Sequence, residues 1–209
     1  GFCSLPTVIV ARKDLPVNTL QDAIDLARKN PGKLTYGSPG NGTGAHIAGE
    51  VLKRYADVEI MHVPFKGSAQ GLTDVTGGHI DFMIAGLATL DGAIRNKQVK
   101  ALAVTNTEAS PQLVDAPTIK EALKGVSIPP GFELEIWLGL SAPAGVPDAI
   151  VQRLQGLMQE ALKNPKLRQE LIGVGVTPAY ASGEDLRKRI EREVPAYTRI
   201  VREMGVALN

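Results

Sequence analysis

Leu34-Thr35-Tyr36-Gly37-Ser38-Pro39-Gly40-Asn41-Gly42-Thr43-Gly44-Ala45-His46 runs from a short strand, through a loop with glycines at 37, 40, 42 and 44, into a helix. The helix, over residues 44–56, sets Ile47, Val51, Leu52 and Tyr55 on one side, the spacing of an amphipathic face. A strand that enters a helix through glycines is the first half of a β-α-β unit. Its loop lies at the carboxyl end of the strand, where open α/β sheets bind their ligands.

The alternation extends both ways. Downstream come a strand at 59–63, a helix at 68–75 ended by Gly77-Gly78, a strand at 79–85, a helix at 89–96 and a strand at 100–105. Upstream, residues 7–12 (TVIVAR) form a β-branched run, and Leu20, Ala23, Ile24 and Ala27 line one face of a helix over 19–30. Thr19 or Asn18 caps that helix, and Pro31-Gly32 stops it. Repeated strand–helix units predict right-handed crossovers and a mainly parallel sheet.

After a proline-containing stretch at 110–131, the rhythm changes. Residues 132–140 (FELEIWLGL) read as one long strand, and helices follow at 147–163, 165–173 and 182–204. Pro147 fits a first helical turn, Ser182-Gly183-Glu184-Asp185 resembles a capping box, and Pro195 should kink the last helix. Three helices with apolar stripes have only one or two strands to cover. Either they form a bundle, or part of a second sheet lies outside this chain.

Composition narrows the function. The 209 residues carry 23 basic and 22 acidic side chains, a net charge of +1 that offers no long-range field for nucleic acid. The basic residues of the last helix are interleaved with acidic ones, as on a solvated face. Cys3 is the only cysteine, so there is no internal disulfide and no cysteine cluster for a metal. No apolar run is long enough to span a membrane.

Three loops carry candidate chemistry. In the first, the hydroxyls of Ser38 and Thr43, the flexible backbone at Gly40, Asn41 and Gly42, and the free N–H groups of the following helix make an anion site for carboxylate or phosphate. His46, in that helix's first turn, either donates to a ligand or packs as a neutral ring. The second loop is Pro64-Phe65-Lys66-Gly67-Ser68; Lys66 either pairs with an anion or stays solvated, and Ser68 reads as a helix cap. The third, Ala85-Gly86-Leu87-Ala88-Thr89, is small and apolar and either shapes a pocket or packs. Trp137, the only tryptophan, is a core aromatic or one wall of a cleft.

Enzymatic readings are weaker. Gly40-Asn41-Gly42-Thr43-Gly44-Ala45 matches the dinucleotide pattern formally, but the next strand ends in Pro64-Phe65-Lys66 instead of an acid. That disfavours NAD and leaves an NADP-binding oxidoreductase as the alternative. No Gly-Lys-Ser/Thr follows the glycines, no serine sits in a nucleophile elbow, and His79-Ile80-Asp81 lacks a third metal ligand.

Taken in order, Gly32-Lys33-Leu34-Thr35-Tyr36-Gly37-Ser38, Gly40-Asn41-Gly42, His46-Ile47-Ala48-Gly49-Glu50, His62-Val63-Pro64-Phe65-Lys66-Gly67, Gly77-Gly78-His79-Ile80-Asp81, Lys100-Ala101-Leu102-Ala103-Val104-Thr105 and Trp137-Leu138-Gly139-Leu140-Ser141-Ala142-Pro143-Ala144-Gly145 resemble the periplasmic receptors of tripartite tricarboxylate transporters, the Bug or TctC-like family. Phe65 departs from the family's usual tyrosine, and Pro195 from its unbroken last helix. The resemblance implies a type II periplasmic-binding fold of two α/β lobes with mainly parallel sheets and no catalytic step. Residues 1–12 would be a remnant of lobe one with the crossing strand, 13–131 a complete lobe two, and 132–209 the return strand and C-terminal helices of an incomplete lobe one. Relatives carry a further N-terminal segment of lobe one. The implied ligand is a small carboxylic acid, held at Ser38, Gly40, Asn41, Gly42, Thr43, His46, Phe65, Lys66, Gly67, Gly86 and Trp137. The implied partners are the transporter's membrane subunits, with no cofactor, no metal, no nucleic acid and no membrane insertion, for a monomer in the periplasm.

Overall fold

The computed structural model describes residues 1–105, 116–123 and 136–204. In chain order the strands are β1 (Cys3–Leu5), β2 (Thr7–Arg12), β3 (Leu34–Ser38), β4 (Ile60–Pro64), β5 (Phe82–Gly86), β6 (Val99–Val104), β7 (Ile136–Leu138) and β8 (Thr177–Pro178). The helices are α1 (Leu20–Lys29), α2 (Gly44–Ala56), α3 (Ser68–Thr76), α4 (Leu87–Arg95), α5 (Ile119–Ala122), α6 (Asp148–Ala161), α7 (Pro165–Gly173) and α8 (Gly183–Met204).

Two sheets form. The larger has the order β4-β3-β5-β2-β6, the smaller β7-β1-β8. Within the larger, β3 pairs in parallel with both β4 and β5, whereas β2 pairs antiparallel with both β5 and β6. Four strands therefore share one direction, as strand–helix repetition predicts, and β2 opposes them from inside the sheet. The chain passes between the sheets at Pro6, and β2 lies wholly in the larger one.

Period-two alternation explains the burial. Val8 and Val10 face one side with Met83 and Ala85, beneath α3 and α4. Ile9 and Ala11 face the other with Phe82 and Ile84, beneath α1 and α2. A strand covered on both faces shows no polar alternation, hence the unbroken run in TVIVAR. Helix starts follow their caps: the Thr19 side chain accepts from Asp22 N–H, and the Asn164 side chain from Lys166 and Leu167.

The C-terminal part differs from expectation in two places. Of the strand read over 132–140, residues 132–135 lie outside the described residues, and the described strand is only Ile136–Leu138. Pro147 precedes α6 as its N-cap instead of lying in its first turn. Helix α8 spans Gly183–Met204 with Pro195 inside it. Its far end docks on the larger unit, with Ile200 buried in the core and Tyr197 and Val201 against it.

Candidate functional site

The three loops read from the sequence meet at one place. They connect β3 to α2, β4 to α3 and β5 to α4, and open on a cavity of ≈ 350 Å³. The first contributes Pro39, Thr43 and Ala45, the second Ser68, and the third Gly86, Leu87, Ala88 and Thr89. Leu5 and Ile136 from the smaller sheet, with Gly175 from the turn after α7, close the opposite side. Backbone bonds hold the loops together. Gly67 N–H donates to Pro39 O at 3.1 Å, Phe65 N–H to Ser38 O at 3.0 Å, and Leu87 N–H to Pro6 O at 2.8 Å.

The helix starts at this cavity are unequal. The Thr43 hydroxyl is turned inward: it donates to Gly40 O at 2.8 Å and accepts from His46 N–H at 3.3 Å. Gly42, at φ 74°, aims its N–H at His46 Nδ1, 3.0 Å away. Helices α3 and α4 begin at Gly67 and Gly86 with no side-chain cap. Their first-turn N–H groups carry the positive end of the helix dipole beside the cavity, an arrangement that accepts an anion.

Behind the first loop lies a packed polar cluster. Leu34, Tyr36 and Ser38 alternate onto the α2 side of β3, and Ser38 is fully buried with its Oγ 2.7 Å from His62 Nε2. The His62 ring stacks on His46 (centroids 4.0 Å apart, planes 10° apart) and on Tyr36 (4.8 Å). Tyr36 OH donates to Glu50 Oε1 at 2.7 Å, and Glu50 also accepts from Lys53. Burial lowers the pKa of both imidazoles. That of His62 falls to about 4, with the neighbouring His46 adding to the effect. Both rings are therefore neutral near pH 7. Because His46 Nδ1 accepts from Gly42, its proton is assigned to Nε2.

Of the residues singled out from the sequence, Thr43 and Gly86 line the cavity. Gly40, Gly42 and Gly67 shape the loops with positive φ, and Asn41 is exposed. Ser38, His46 and Phe65 are buried. Lys66 is exposed and does not line the cavity. Ser68 is not a cap, since Gly67 holds that position. Trp137 points to α8, where its Nε1 donates to Glu193 Oε2 at 3.0 Å and the Arg189 guanidinium lies over its ring.

Its strand neighbour Ile136 takes the cavity side instead. Adjacent residues of a strand face opposite ways, so that alternation was the available signal. Gly175 was also missed; it sits at φ 81°, and a Cβ there would lie 2.7 Å from Ala88 N. A positive-φ glycine at a helix end is a recognisable turn signal, but its packing against α4 is not local information.

A second, more open groove of ≈ 550 Å³ lies between α1, α2 and α8, at the amino ends of the strands. Several of its charges have partners within it: Lys53 pairs with Glu50, Arg54 with Glu203, and Arg28 donates to Ala56 O. Among the described residues no cluster of His, Cys, Asp and Glu could hold a metal, and no helix is long and apolar enough to cross a membrane.

A cleft at the carboxyl ends of parallel strands, walled by helix N-termini and closed by a second sheet, defines an α/β fold of the periplasmic-binding-protein kind. The chain belongs to the tripartite tricarboxylate transporter receptor family, whose model matches residues 2–206. It is 34% identical over 206 residues to the UPF0065 protein in the tcbD-tcbE intergenic region of Pseudomonas sp. strain P51, covering 99% of this chain and 60% of that protein. Its structure is similar to R. palustris Rpa4515 with adipate (TM-score 0.86, 32% identity, 99% of this chain and 67% of the other). It is also similar to the periplasmic binding protein BugD (TM-score 0.81, 29% identity, 98% and 68%). The chain thus spans about 60% of the length of the curated relatives it matches.

Proposed function

We propose that this chain is the larger part of a periplasmic solute-binding receptor. It captures a small carboxylate in the cleft between the two sheets and delivers it to the membrane subunits of a tripartite tricarboxylate transporter. The observation that carries this reading is the convergence of the α2, α3 and α4 N-termini on one cavity, two of them without a side-chain cap. Uncapped N–H groups at a desolvated site stabilise a carboxylate through charge-assisted hydrogen bonds and the helix dipole. No nucleophile, general base or metal is needed for capture and release. The division into a lobe around the larger sheet and a lobe around the smaller one belongs to the same proposal, with Pro6 as one crossing point.

Thermal denaturation of the full-length protein against a panel of mono-, di- and tricarboxylates tests the reading. A ligand at one hundred times its dissociation constant adds about 2.7 kcal/mol. Ser68→Asp sharpens the test. Aspartate in the first turn of α3 suits the helix dipole, so folding is retained, but its charge enters the cavity and repels an acid. The stabilisation by the carboxylate should disappear in this variant. A shift with NADPH and none with any carboxylate would overturn the proposal.

A further inference from the structure

We propose that the stacked pair His46–His62 is a proton-sensitive clamp on the loop between β3 and α2, closed at neutral pH and opened by acid. Each ring grips the loop at one point. His46 is the third residue of α2, and it reaches back as a capping-box side chain does. Its Nδ1 accepts the Gly42 N–H at 3.0 Å. His62 Nε2 lies 2.7 Å from Ser38 Oγ, which donates to Gly40 O at 3.1 Å and accepts from Gly40 N–H at 3.3 Å. The loop held in this way gives Pro39 and Thr43 to the cavity. The clamp therefore acts on a cavity wall, whatever the cavity holds.

The closed geometry does not admit a proton. A neutral imidazole has one donor and one acceptor nitrogen; imidazolium has two donors. Protonating His46 puts an N–H where Nδ1 now accepts, so that two donors face each other at Gly42. With ring centroids 4.0 Å apart, a charge on one ring also opposes a charge on the other. The groups around the pair do not compensate. Glu50 and Lys53 of α2 act on both rings with opposite sign. Strands β3 and β4 add only Tyr36 as a further titratable group, the loop at 37–44 adds none, and Lys66 beyond β4 is exposed. Burial lowers the pKa of both rings in the closed loop, so protons favour the open one. The closed loop is fully favoured above about pH 6.5 and loses ground as the pH falls below it. Between pH 7.5 and 5.5 the loss is about tenfold for each ring that stays neutral when closed.

Amide hydrogen exchange, followed by NMR on the full-length protein, tests the clamp when each rate is divided by that of an unstructured peptide at the same pH. Protection of the Gly42 N–H should be about tenfold or more lower at pH 5.5 than at pH 7.5. Gly42 should exchange faster than the amides of β5 at both pH values, since the loop opens without the rest of the fold. His46→Asn sets an amide oxygen near the place of Nδ1, His62→Gln keeps a hydrogen-bonding group near Ser38, and neither titrates in this range. In the double variant, Gly42 protection should differ by less than about twofold between the two pH values. Protection that is equal within about twofold in the unaltered protein overturns the proposal. So does exchange of Gly42 no faster than that of β5, which would mean that the loop opens only with the whole fold. A tenfold fall that persists in the folded double variant assigns the effect to other groups and overturns it too. If the double variant does not fold, the two readings on the unaltered protein still decide.

Discussion

The unit built on the larger sheet and the helices α6 and α7 share one chain but not one physical situation. In the former, hydrophobic residues such as Val8, Val10, Met83 and Leu90 are fully buried. In α6 and α7 no residue is buried, and Ile150, Leu154 and Leu157 are half exposed in solvent. Yet α6 is amphipathic in the ordinary way, with 150, 154 and 157 on one stripe. The difference lies in what stands opposite. Leu90 on α4 has the larger sheet beneath it; the α6 stripe has no comparable sheet among the described residues. An amphipathic pattern thus specifies that a face is to be covered, and does not say by what.

That contrast makes its own largest test. Leu90→Ala should cost about 2–5 kcal/mol in chemical denaturation, the range for a leucine removed from a closed core. Leu154→Ala, the same chemical change on an exposed stripe, should stay within about 0.5 kcal/mol. A cost above about 2 kcal/mol at Leu154 would mean that the stripe is covered in solution, and light scattering would then show a larger species.

The next effect lies where the two regions touch. The turn at Gly175 packs on the first turn of α4, and a Cβ there would come within 2.7 Å of Ala88 N and 2.8 Å of its Cα. Gly175 also holds φ 81°, which alanine adopts only at a cost. Backbone cannot retreat as the end of a long side chain can. Gly175→Ala should therefore destabilise by about 1–3 kcal/mol and separate the turn from α4. Hydrogen exchange should rise at Leu87, whose N–H is bonded to Pro6 O, while β2 and β5 keep their protection. If exchange is unchanged at α4, the two regions do not press on each other there.

Smaller again is the helix start at the cavity. Thr43→Val keeps shape but removes the hydroxyl that accepts from His46 N–H and donates to Gly40 O. Loss of an N-cap of this kind costs about 1 kcal/mol, read as a lower denaturation midpoint with an unchanged slope. A neutral result would show the first loop to be held by Gly42 and His46 alone.

Much of this fold was legible because local chemistry and global architecture agree. Thr19 capping α1, Pro31-Gly32 after it, and glycines at each strand-to-helix passage are local signals with local consequences. The direction of β2 was not legible. A buried β-branched strand reads the same forward and backward, and its antiparallel seat is fixed by partners more than seventy residues away, at Phe82–Gly86 and Val99–Val104. The site divides in the same way. Its three loops could be found, since a strand end followed by a helix start is a local event. Which groups face the cavity depends on rotation about the strand. Ser38 follows Leu34 and Tyr36 under α2, and Trp137 yields the cavity to Ile136. The alternation was present in the sequence, but it needs a known face to count from.

The smallest effect near neutral pH becomes the clearest in acid. His62 sits between Ser38, Tyr36 and His46, with Glu50 and Lys53 the charged groups near it. Burial lowers its pKa from 6.5 to about 4, so the folded state holds it neutral where the unfolded chain would protonate it. Between those values the unfolded state binds more protons, and stability rises with pH. The contribution is fully present above about pH 6.5 and is lost as pH falls toward 4. His46, lowered in the same direction by burial, adds to the slope. His62→Gln keeps a hydrogen-bonding group near Ser38 Oγ and cannot titrate in this range. The variant should lose stability less steeply than the parent between pH 6.5 and 4.5. The expected reading is a pair of denaturation curves that converge or cross as the pH falls. Parallel curves throughout would show that His62 is protonated in the folded protein as readily as in the unfolded chain, and that the stack with His46 opens to water.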